Sequence, residues 1–487
     1  MRPSLIARAL GIILLAFGGV LLLPALLAWI VGEHPAMWPF VIAALAAATT
    51  GLCCFWYGSG SRDFDQLRRT EGLLIVALTW TLAGLFGGVP YLFFGLSPLD
   101  ALFESVSGIT TTGATILTDF SLYPRAFFFW RSFSQWLGGM GIIVLFVAIL
   151  PQLGVAGRRL FFAEAPGPTE EKITPRVAHT AKALWTVYIV LTAVEIVLLI
   201  LVGMPWFDAL CNALSTMAAG GFSPHPQSIM GYGSPAITWI VTLFMLLAGS
   251  NFALQYRMLI RGHSQALLAS EEFRFYLTTL VLFAVLLLVL LLANQEITVA
   301  AGWRDSLFQI ISIVTTTGFS SADFALWSIP AQTVIVAMML IGGCAGSAGG
   351  GIKVVRVLFI AKFLKREIDQ LVHPRAVLPI KIDRVTVHEE VQRQMLSFLL
   401  FYLLLLVVSG LVVTILEHDA IIGVVGAAAT IGNVGPGLGE IGPMGTFANL
   451  QPASKMLFII NMVVGRLELI PFLVVLAPGF WNLSRNG

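Results

Sequence analysis

The chain has 487 residues, of which 57% are hydrophobic and only 11% charged, where an ordinary soluble domain carries roughly 25% charged residues. This excludes soluble, disordered, fibrous and nucleic-acid-binding proteins. It leaves a polytopic membrane protein, because runs of about 20 apolar residues recur along the whole length. The formal net charge of +2 says nothing until it is resolved by position.

The first element follows Met-Arg-Pro-Ser and Arg8 and is apolar as far as Val31. It is too long for a signal peptide and lacks a small-x-small cleavage site, so a retained transmembrane helix is expected. Further apolar runs fall near 36–57, 72–95, 126–150, 183–204, 235–259, 275–294, 330–360, 396–416 and 453–477. With the first they make ten long spans, which puts both termini on one side. Four shorter segments do not fit as full spans: DALFESVSGITTTGAT from Asp100, DALCNALSTMAAGGFS from Asp208, DSLFQIISIVTTTGFSS from Asp305, and AIIGVVGAAATIGNVGPGLG from Ala420.

Basic residues choose the sides. Arg2, Arg8, Arg62, Arg68 and Arg69, the Arg158–Lys182 group, Arg257, Arg261, Arg274, the nine from Lys353 to Arg393, and Arg485 share one face, 23 of the 28 Lys and Arg. The positive-inside rule makes that face the cytoplasm. The other face holds Arg125, Arg131, Arg304 and Lys455 with eleven acids, among them Asp100, Glu104, Asp119, Asp208, Asp305 and Asp323. An acidic outer vestibule raises the local cation concentration, although acids that merely face water would look the same.

The four short segments form a repeat. Aligned without gaps on Gly113, Gly221 and Gly318, the first three place an Asp 13 residues earlier (Asp100, Asp208, Asp305), a Leu 11 earlier (Leu102, Leu210, Leu307) and a Ser 6 earlier (Ser107, Ser215, Ser312). Asp occurs only ten times in the chain, so three at one offset form a pattern. The fourth copy, centred on Gly435, matches in size and apolarity but carries Ile422, Val424 and Ala429 at those offsets. Each unit reads as helix, short half-helix, glycine-bearing loop, helix. Internal repeats in a membrane chain place the site on their shared axis.

Ten residues of helix reach about 15 Å, halfway across the hydrocarbon core. The Asp is expected to N-cap each half-helix on the outer side. The negative end of the helix dipole then points at the bilayer centre. Irregular backbone at that depth must be buried or line a wet cavity. Glycine allows torsions that turn successive carbonyls toward an axis, and four such loops give rings of four carbonyl oxygens that replace the hydration shell of a potassium ion. The alternative reading, glycines for close helix packing, explains one loop better than four.

The motifs TTTGAT, STMAAGGFSPH, TTTGFSS and GNVGPGLG resemble the four filter loops of the Trk/Ktr/HKT potassium transporter superfamily. The similarity extends over essentially the full length to its bacterial TrkH/TrkG-type membrane subunits. The resemblance implies an all-α polytopic membrane protein with four M1–pore helix–M2 repeats in a pseudo-fourfold arrangement and two extra N-terminal helices. The expected units are residues 1–60 for the extension, then 61–157, 158–262, 263–370 and 371–487 for the repeats. It implies a selectivity filter of Thr111, Thr112, Gly113, Gly220, Gly221, Thr317, Gly318, Phe319, Val434, Gly435 and Pro436, with potassium held at Thr112, Gly113, Gly221, Gly318 and Gly435. Sodium-favouring relatives tend to carry Ser at the first filter glycine, so Gly113 leans to potassium. Gly220 before Gly221, and Asn433-Val434 before Gly435, depart from strict fourfold symmetry.

The eighth long run, 330–360, is interrupted by GGCAGSAGGG, residues 342–351, and six glycines in ten residues cannot hold a regular helix. Such a break at membrane depth lines a cavity or serves as a close-packing surface. In the resembled family the matching segment is an intramembrane loop that blocks the pore. That makes Gly346, Ser347, Gly349, Gly350 and Gly351 a gate, with Lys353 following it and Arg466 beside it. Arg466 lies roughly 20 Å into the last span, where a charge is costly and marks a functional position. Its expected partners are loop carbonyls, the alternative being an ion pair with Glu195; Glu468 points elsewhere on the helix.

Competing functions are an ion-coupled symporter of a small solute, which needs several broken helices with side-chain ligands, a sodium-permeable member of the same superfamily, and a membrane enzyme. The histidines (His34, His179, His225, His263, His373, His388, His418) have no HExxH-like spacing, and no Walker motif is present. The cysteines Cys53, Cys54, Cys211 and Cys344 lie in apolar surroundings and read as reduced packing residues. No enzyme and no bound cofactor are expected, only K+ as the transported ion. The basic stretch Lys362–Arg393 reads as a docking face or as plain positive-inside bias. The resemblance implies a homodimer in the bacterial inner membrane, and a cytosolic TrkA-type partner of RCK domains that would bind the NAD(H), ADP or ATP.

Overall fold

The computed structural model describes residues 2–59, 69–149, 173–260, 262–263, 265–294 and 298–467. Helices α1 (Pro3–Val31) and α2 (His34–Tyr57) form an antiparallel hairpin. Small residues let their backbones touch: a Cβ on Gly51 would stand 3.0 Å from the Gly11 carbonyl oxygen, and one on Gly18 3.0 Å from that of Ala44. Their outward faces carry exposed Leu26, Trp29, Ile30 and Trp56, the surface a helix presents to lipid.

The remaining helices fall into four units of the same order. The first is α3 (Arg69–Phe93), half-helix α4 (Pro98–Ile109) and α5 (Arg125–Ile149). The second is α6 (Ile173–Leu201), half-helix α7 (Trp206–Met217), then α8 (Pro235–Ala248) and α9 (Phe252–Leu259). The third is α10 (Glu271–Asn294), half-helix α11 (Val299–Val314), then α12 (Ile329–Met338) and α13 (Val354–Val372). A small hairpin follows, β1 (Lys381–Ile382) with β2 (Val385–Thr386). The fourth unit is α14 (Glu389–Glu417), half-helix α15 (Ala420–Ile431) and α16 (Pro452–Arg466). The half-helices are the buried centre: every residue from Phe308 to Ser320 is buried, whereas α14 exposes Leu400, Leu404, Leu411 and Ile415.

Two expectations about these elements are corrected. The run 235–259 is not one continuous helix: α8 and α9 meet at an angle of 108°. Asn251 N-caps the second piece, its Oδ1 accepting from Ala253 N–H at 2.8 Å and Leu254 N–H at 3.2 Å. Among the described residues six helices are unbroken, long and apolar enough to cross a membrane, and the α8–α9 pair makes a bent seventh. The last span is described only to its first half, and Glu468 lies outside the described residues, as do Arg62, Arg68, Arg158 and Arg485.

The second correction concerns Asp100, Asp208 and Asp305, which are not N-caps. Ser97 caps α4 and Thr298 caps α11 with their hydroxyls, while Pro205 precedes α7. Asp100 and Asp208 sit instead in the first turn, where a carboxylate still favours the positive helix end. Asp100 takes a hydrogen bond from Ser97 Oγ at 2.7 Å and an ion pair from Lys455 at 2.6 Å. In the unit whose sequence carries no aligned Asp, Asp419 is the N-cap, accepting from Ile421 and Ile422.

Candidate functional site: a ring of four glycine loops

All four half-helices end in the same turn. The residue two before the aligned glycine is left-handed (Thr111 φ 55°, Ala219 54°, Thr316 58°, Asn433 54°), and so is the glycine itself (Gly113 84°, Gly221 77°, Gly318 77°, Gly435 100°). The intervening N–H reaches back five residues each time: Thr112 to Ser107, Gly220 to Ser215, Thr317 to Ser312 and Val434 to Ala429, at 2.8–2.9 Å. The left-handed residue bonds three back, Thr111 to Gly108, Ala219 to Thr216, Thr316 to Ile313 and Asn433 to Thr430. This is the Schellman ending, which satisfies the orphan carbonyls and stops the helix. The fourth copy, weakest in side chains, is equivalent in backbone.

The loops touch in a closed cycle. A Cβ on Gly113 would lie 2.2 Å from the Gly220 carbonyl oxygen, one on Gly221 2.0 Å from that of Thr317, one on Gly318 2.0 Å from that of Val434, and one on Gly435 2.6 Å from that of Thr112. Each glycine therefore packs against the carbonyl of the residue preceding the next glycine, first to second to third to fourth and back to first. No other residue type fits this contact and this torsion together. Phe319 is buried behind the ring, and Pro436 Cδ would meet a Cβ on Gly318 at 2.9 Å.

Side chains behind the ring fix it. Ser107 and Ser312 donate to the carbonyls just past the glycine, on Ala114 at 2.6 Å and Phe319 at 2.7 Å. Thr110 with Thr112, and Thr315 with Thr317, pair their hydroxyls at 2.7 and 2.8 Å. Both departures from symmetry have structural reasons. Gly220 leaves room for Gln135, whose Nε2 donates to the Gly220 carbonyl at 2.7 Å and whose Oε1 accepts from Phe222 N–H at 3.1 Å. Asn433 donates through Nδ2 to Thr112 Oγ1 at 2.9 Å and to the Met462 carbonyl at 3.0 Å, tying the fourth loop to the first.

A buried ion pair braces the recess on the ring's acidic side. Arg131 Nε meets Glu104 Oε1 at 2.7 Å, both fully enclosed. Glu104 also accepts from Ile116 N–H at 3.0 Å, Arg131 bonds Thr115 Oγ1 at 3.2 Å, and its guanidinium lies 3.9 Å from the Phe222 ring centre. Loops one and two are thereby fastened to one charge-neutral pair. Glu104 and Arg131, expected among water-facing charges, belong to this brace.

On the opposite side the segment 342–351 lies directly beneath the ring. Gly350 N–H donates to Thr316 Oγ1 at 2.7 Å, and a Cβ on Gly350 would stand 2.7 Å from the Gly432 carbonyl. The segment is hung on the α8–α9 break: Cys344 N–H bonds the Gly249 carbonyl at 2.8 Å, Ala348 N–H that of Ala248 at 3.2 Å, and Phe252 N–H that of Gly346 at 3.2 Å. Arg466, 2% exposed, donates through Nη1 to the Ala348 carbonyl at 2.8 Å and through Nη2 to that of Gly138 at 3.3 Å. Lys353 is buried, its ammonium on the Gly349 carbonyl and 3.5 Å from Ser347 Oγ. Arg466 thus meets one segment carbonyl, that of Ala348, as expected, and one on α5, that of Gly138, and no ion pair joins it to Glu195 among the described residues.

A family model described as TrkH, a cation transport protein, matches residues 61–482. The chain belongs to the TrkH family. Curated relatives named Trk system potassium uptake protein TrkH include those of Vibrio parahaemolyticus, 39% identical over 489 residues, and Escherichia coli K12, 37% identical over 487 residues; each alignment covers 99% of this chain and all of the relative. The crystal structure of the potassium transporter TrkH from Vibrio parahaemolyticus superposes with a TM-score of 0.90 at 37% identity, over 99% of this chain and 100% of that one. The chain is accordingly a membrane transporter of cations and not an enzyme, and the helical membrane fold expected from its sequence is confirmed, with the hairpin β1–β2 as its one departure among the described residues.

Of the residues singled out in the sequence, the structure brings the four glycines, their Thr and Val neighbours, 346–351, Lys353 and Arg466 into one assembly. Sequence reasoning missed Gln135, the Glu104–Arg131 pair, Glu272 (below) and the α8–α9 break. Only the last left a local signal, the Gly249-Ser250-Asn251 sequence of stop and cap.

Proposed function

We propose that the chain takes up potassium, and rubidium with it, through the four-loop ring acting as a carbonyl-lined selectivity filter in a bacterial inner membrane. The cyclic contact of Gly113, Gly221, Gly318 and Gly435 with the next loop's carbonyl carries this reading, together with the printed names of the relatives. Alternating left-handed residues present successive carbonyls along one line, and four such lines supply oxygens in place of water. Four half-helix C-termini add negative potential where the ion loses its hydration shell. The segment 342–351 is the gate, held shut by Arg466 and Lys353. The basic face is cytoplasmic, both termini with it. The chain works as a homodimer and answers to a TrkA-type partner, which binds the nucleotide. The proposed repeats take the four helix units in order, with the third extended from residue 370 to the end of α13 at Val372.

The symporter alternative gains a second broken helix at 249–251, but the bonds made by that break go to the backbone of 344–348 and leave no ligand set for a solute. The test is flux from purified protein in liposomes. Potassium and rubidium should pass, sodium should pass more slowly, and an organic-solute control should not move. Absence of rubidium flux with and without the partner overturns the reading.

A further inference from the structure

We propose that Glu272 positions the gate segment, and that the hairpin β1–β2 sets Glu272. The inference rests on the gate reading above. Glu272 is buried at the start of α10, and its Oε1 accepts from the Ala345 N–H at 2.7 Å. It is a side-chain acceptor for the segment that Arg466 and Lys353 hold by carbonyls from other directions. Its chain neighbour Glu271 belongs to the hairpin. Glu271 N–H donates to Asp383 Oδ1 at 2.5 Å, Asp383 N–H returns to Glu271 Oε2 at 3.2 Å, and Lys362 Nζ closes on Glu271 Oε1 at 2.5 Å. Lys362 also donates to the Lys381 carbonyl at 2.5 Å. The Asp383 carboxylate thus caps α10 from 112 residues away.

The hairpin and the gate also share a core. Ile380, Ile382 and Val387 pack in one apolar cluster with Ala345, Val355 and Phe359. The outward face of the hairpin is exposed Lys381, Asp383, Arg384 and Thr386. Its two-residue turn holds Asp383 at φ 47° and Arg384 at φ 64°, a primed turn made without glycine. A load on that exposed turn bears on two successive residues of one rigid helical turn. Moving Glu271 moves Glu272, and the Ala345 N–H loses its acceptor. The gate is then released from the face where a cytosolic partner would dock.

The test uses the full chain in liposomes without partner, with Cys53→Ser and Cys54→Ser as background. Two rates are read, rubidium flux and modification of the buried Cys344 by a charged thiol reagent, with Cys344→Ser giving the contribution of Cys211. Glu272→Ala and Asp383→Ala should each speed both rates at least about 10-fold, since each removes the side-chain oxygen that accepts the bond. Glu272→Gln keeps an oxygen acceptor and should stay close to wild type. The double variant Asp383→Ala/Glu272→Ala should be no faster than Glu272→Ala. If Glu272→Ala does not fold, Lys362→Ala and Asp383→Ala, at the protein surface, must still raise Cys344 modification. Unchanged Cys344 modification in the single variants, or multiplying effects in the double, overturns the proposal. Cys344 modification needs no ion flux, so a failed transport reading would be distinguishable.

Discussion

The serine six positions before the glycine does different work in different loops. In the first and third, its hydroxyl holds the carbonyl just past the glycine; in the second, Ser215 Oγ is buried with no hydrogen-bond partner among the described residues. Ser312→Ala should therefore lower stability by about 1 kcal/mol and weaken selectivity, while Ser215→Ala should leave melting and flux nearly unchanged; thermal unfolding and rubidium competition compare them. At Gly113, a serine would put its Cβ against the Gly220 carbonyl and spread the ring. Gly113→Ser should cut potassium-over-sodium discrimination by about 10-fold, or 1.4 kcal/mol, read in paired flux assays. Glu104→Gln leaves the Arg131 charge buried without its counter-charge and should cost about 3–5 kcal/mol, seen as a lower melting temperature before any effect on flux. The aligned Ser, Asp and Gly were legible because repetition exposes them. Glu104 and Arg131 were not, since 27 residues separate the partners and nothing in the local pattern distinguishes a buried pair from two surface charges.

Two broken helices, not one, shape the region under the ring. The glycine-rich break was evident from composition, because nothing so poor in side chains can stay helical. The α8–α9 break was hidden, since three polar or small residues hardly dent the hydropathy of a 25-residue run, and a sharp bend needs only a glycine and a capping Asn. The two breaks exchange backbone bonds, so each supplies the partners the other lost. Over these bonds Arg466 adds a charged donor on the Ala348 carbonyl. Removing it forfeits about 1.5–3 kcal/mol of hydrogen bonding to the segment 342–351. Arg466→Ala should raise partner-free rubidium leak at least about 10-fold in liposomes, and unchanged leak would remove Arg466 from the gate. The misplaced Asp caps were a register error of three residues or more: side-chain offsets recur faithfully across the repeats, but helix starts are set locally by Ser97, Pro205 and Thr298.

For the whole molecule, the proposed passive pathway sets a ceiling that can be measured. An ion of unit charge gains about 2.3 kcal/mol on crossing 100 mV, so a channel-like protein can accumulate rubidium only about 50-fold at that potential. Liposomes clamped at 100 mV, inside negative, should level off near that ratio; a higher plateau would require coupling to protons or sodium. The four-unit order and the helical membrane character were readable in advance because they rest on repetition and hydropathy. The order of contacts around the ring was not, since it depends on which loop meets which.

That order constrains how the protein is made. The closing contact joins Asn433 to Thr112 across 321 residues, so the last quarter of the chain completes what the first began. Without the final unit, the first three loops would lack the contacts that close the ring, and irregular backbone left unpaired at membrane depth is a state the bilayer penalises heavily. A chain truncated before Gly435 would be left permanently in that condition, its first loop without the neighbour that closes on the Thr112 carbonyl.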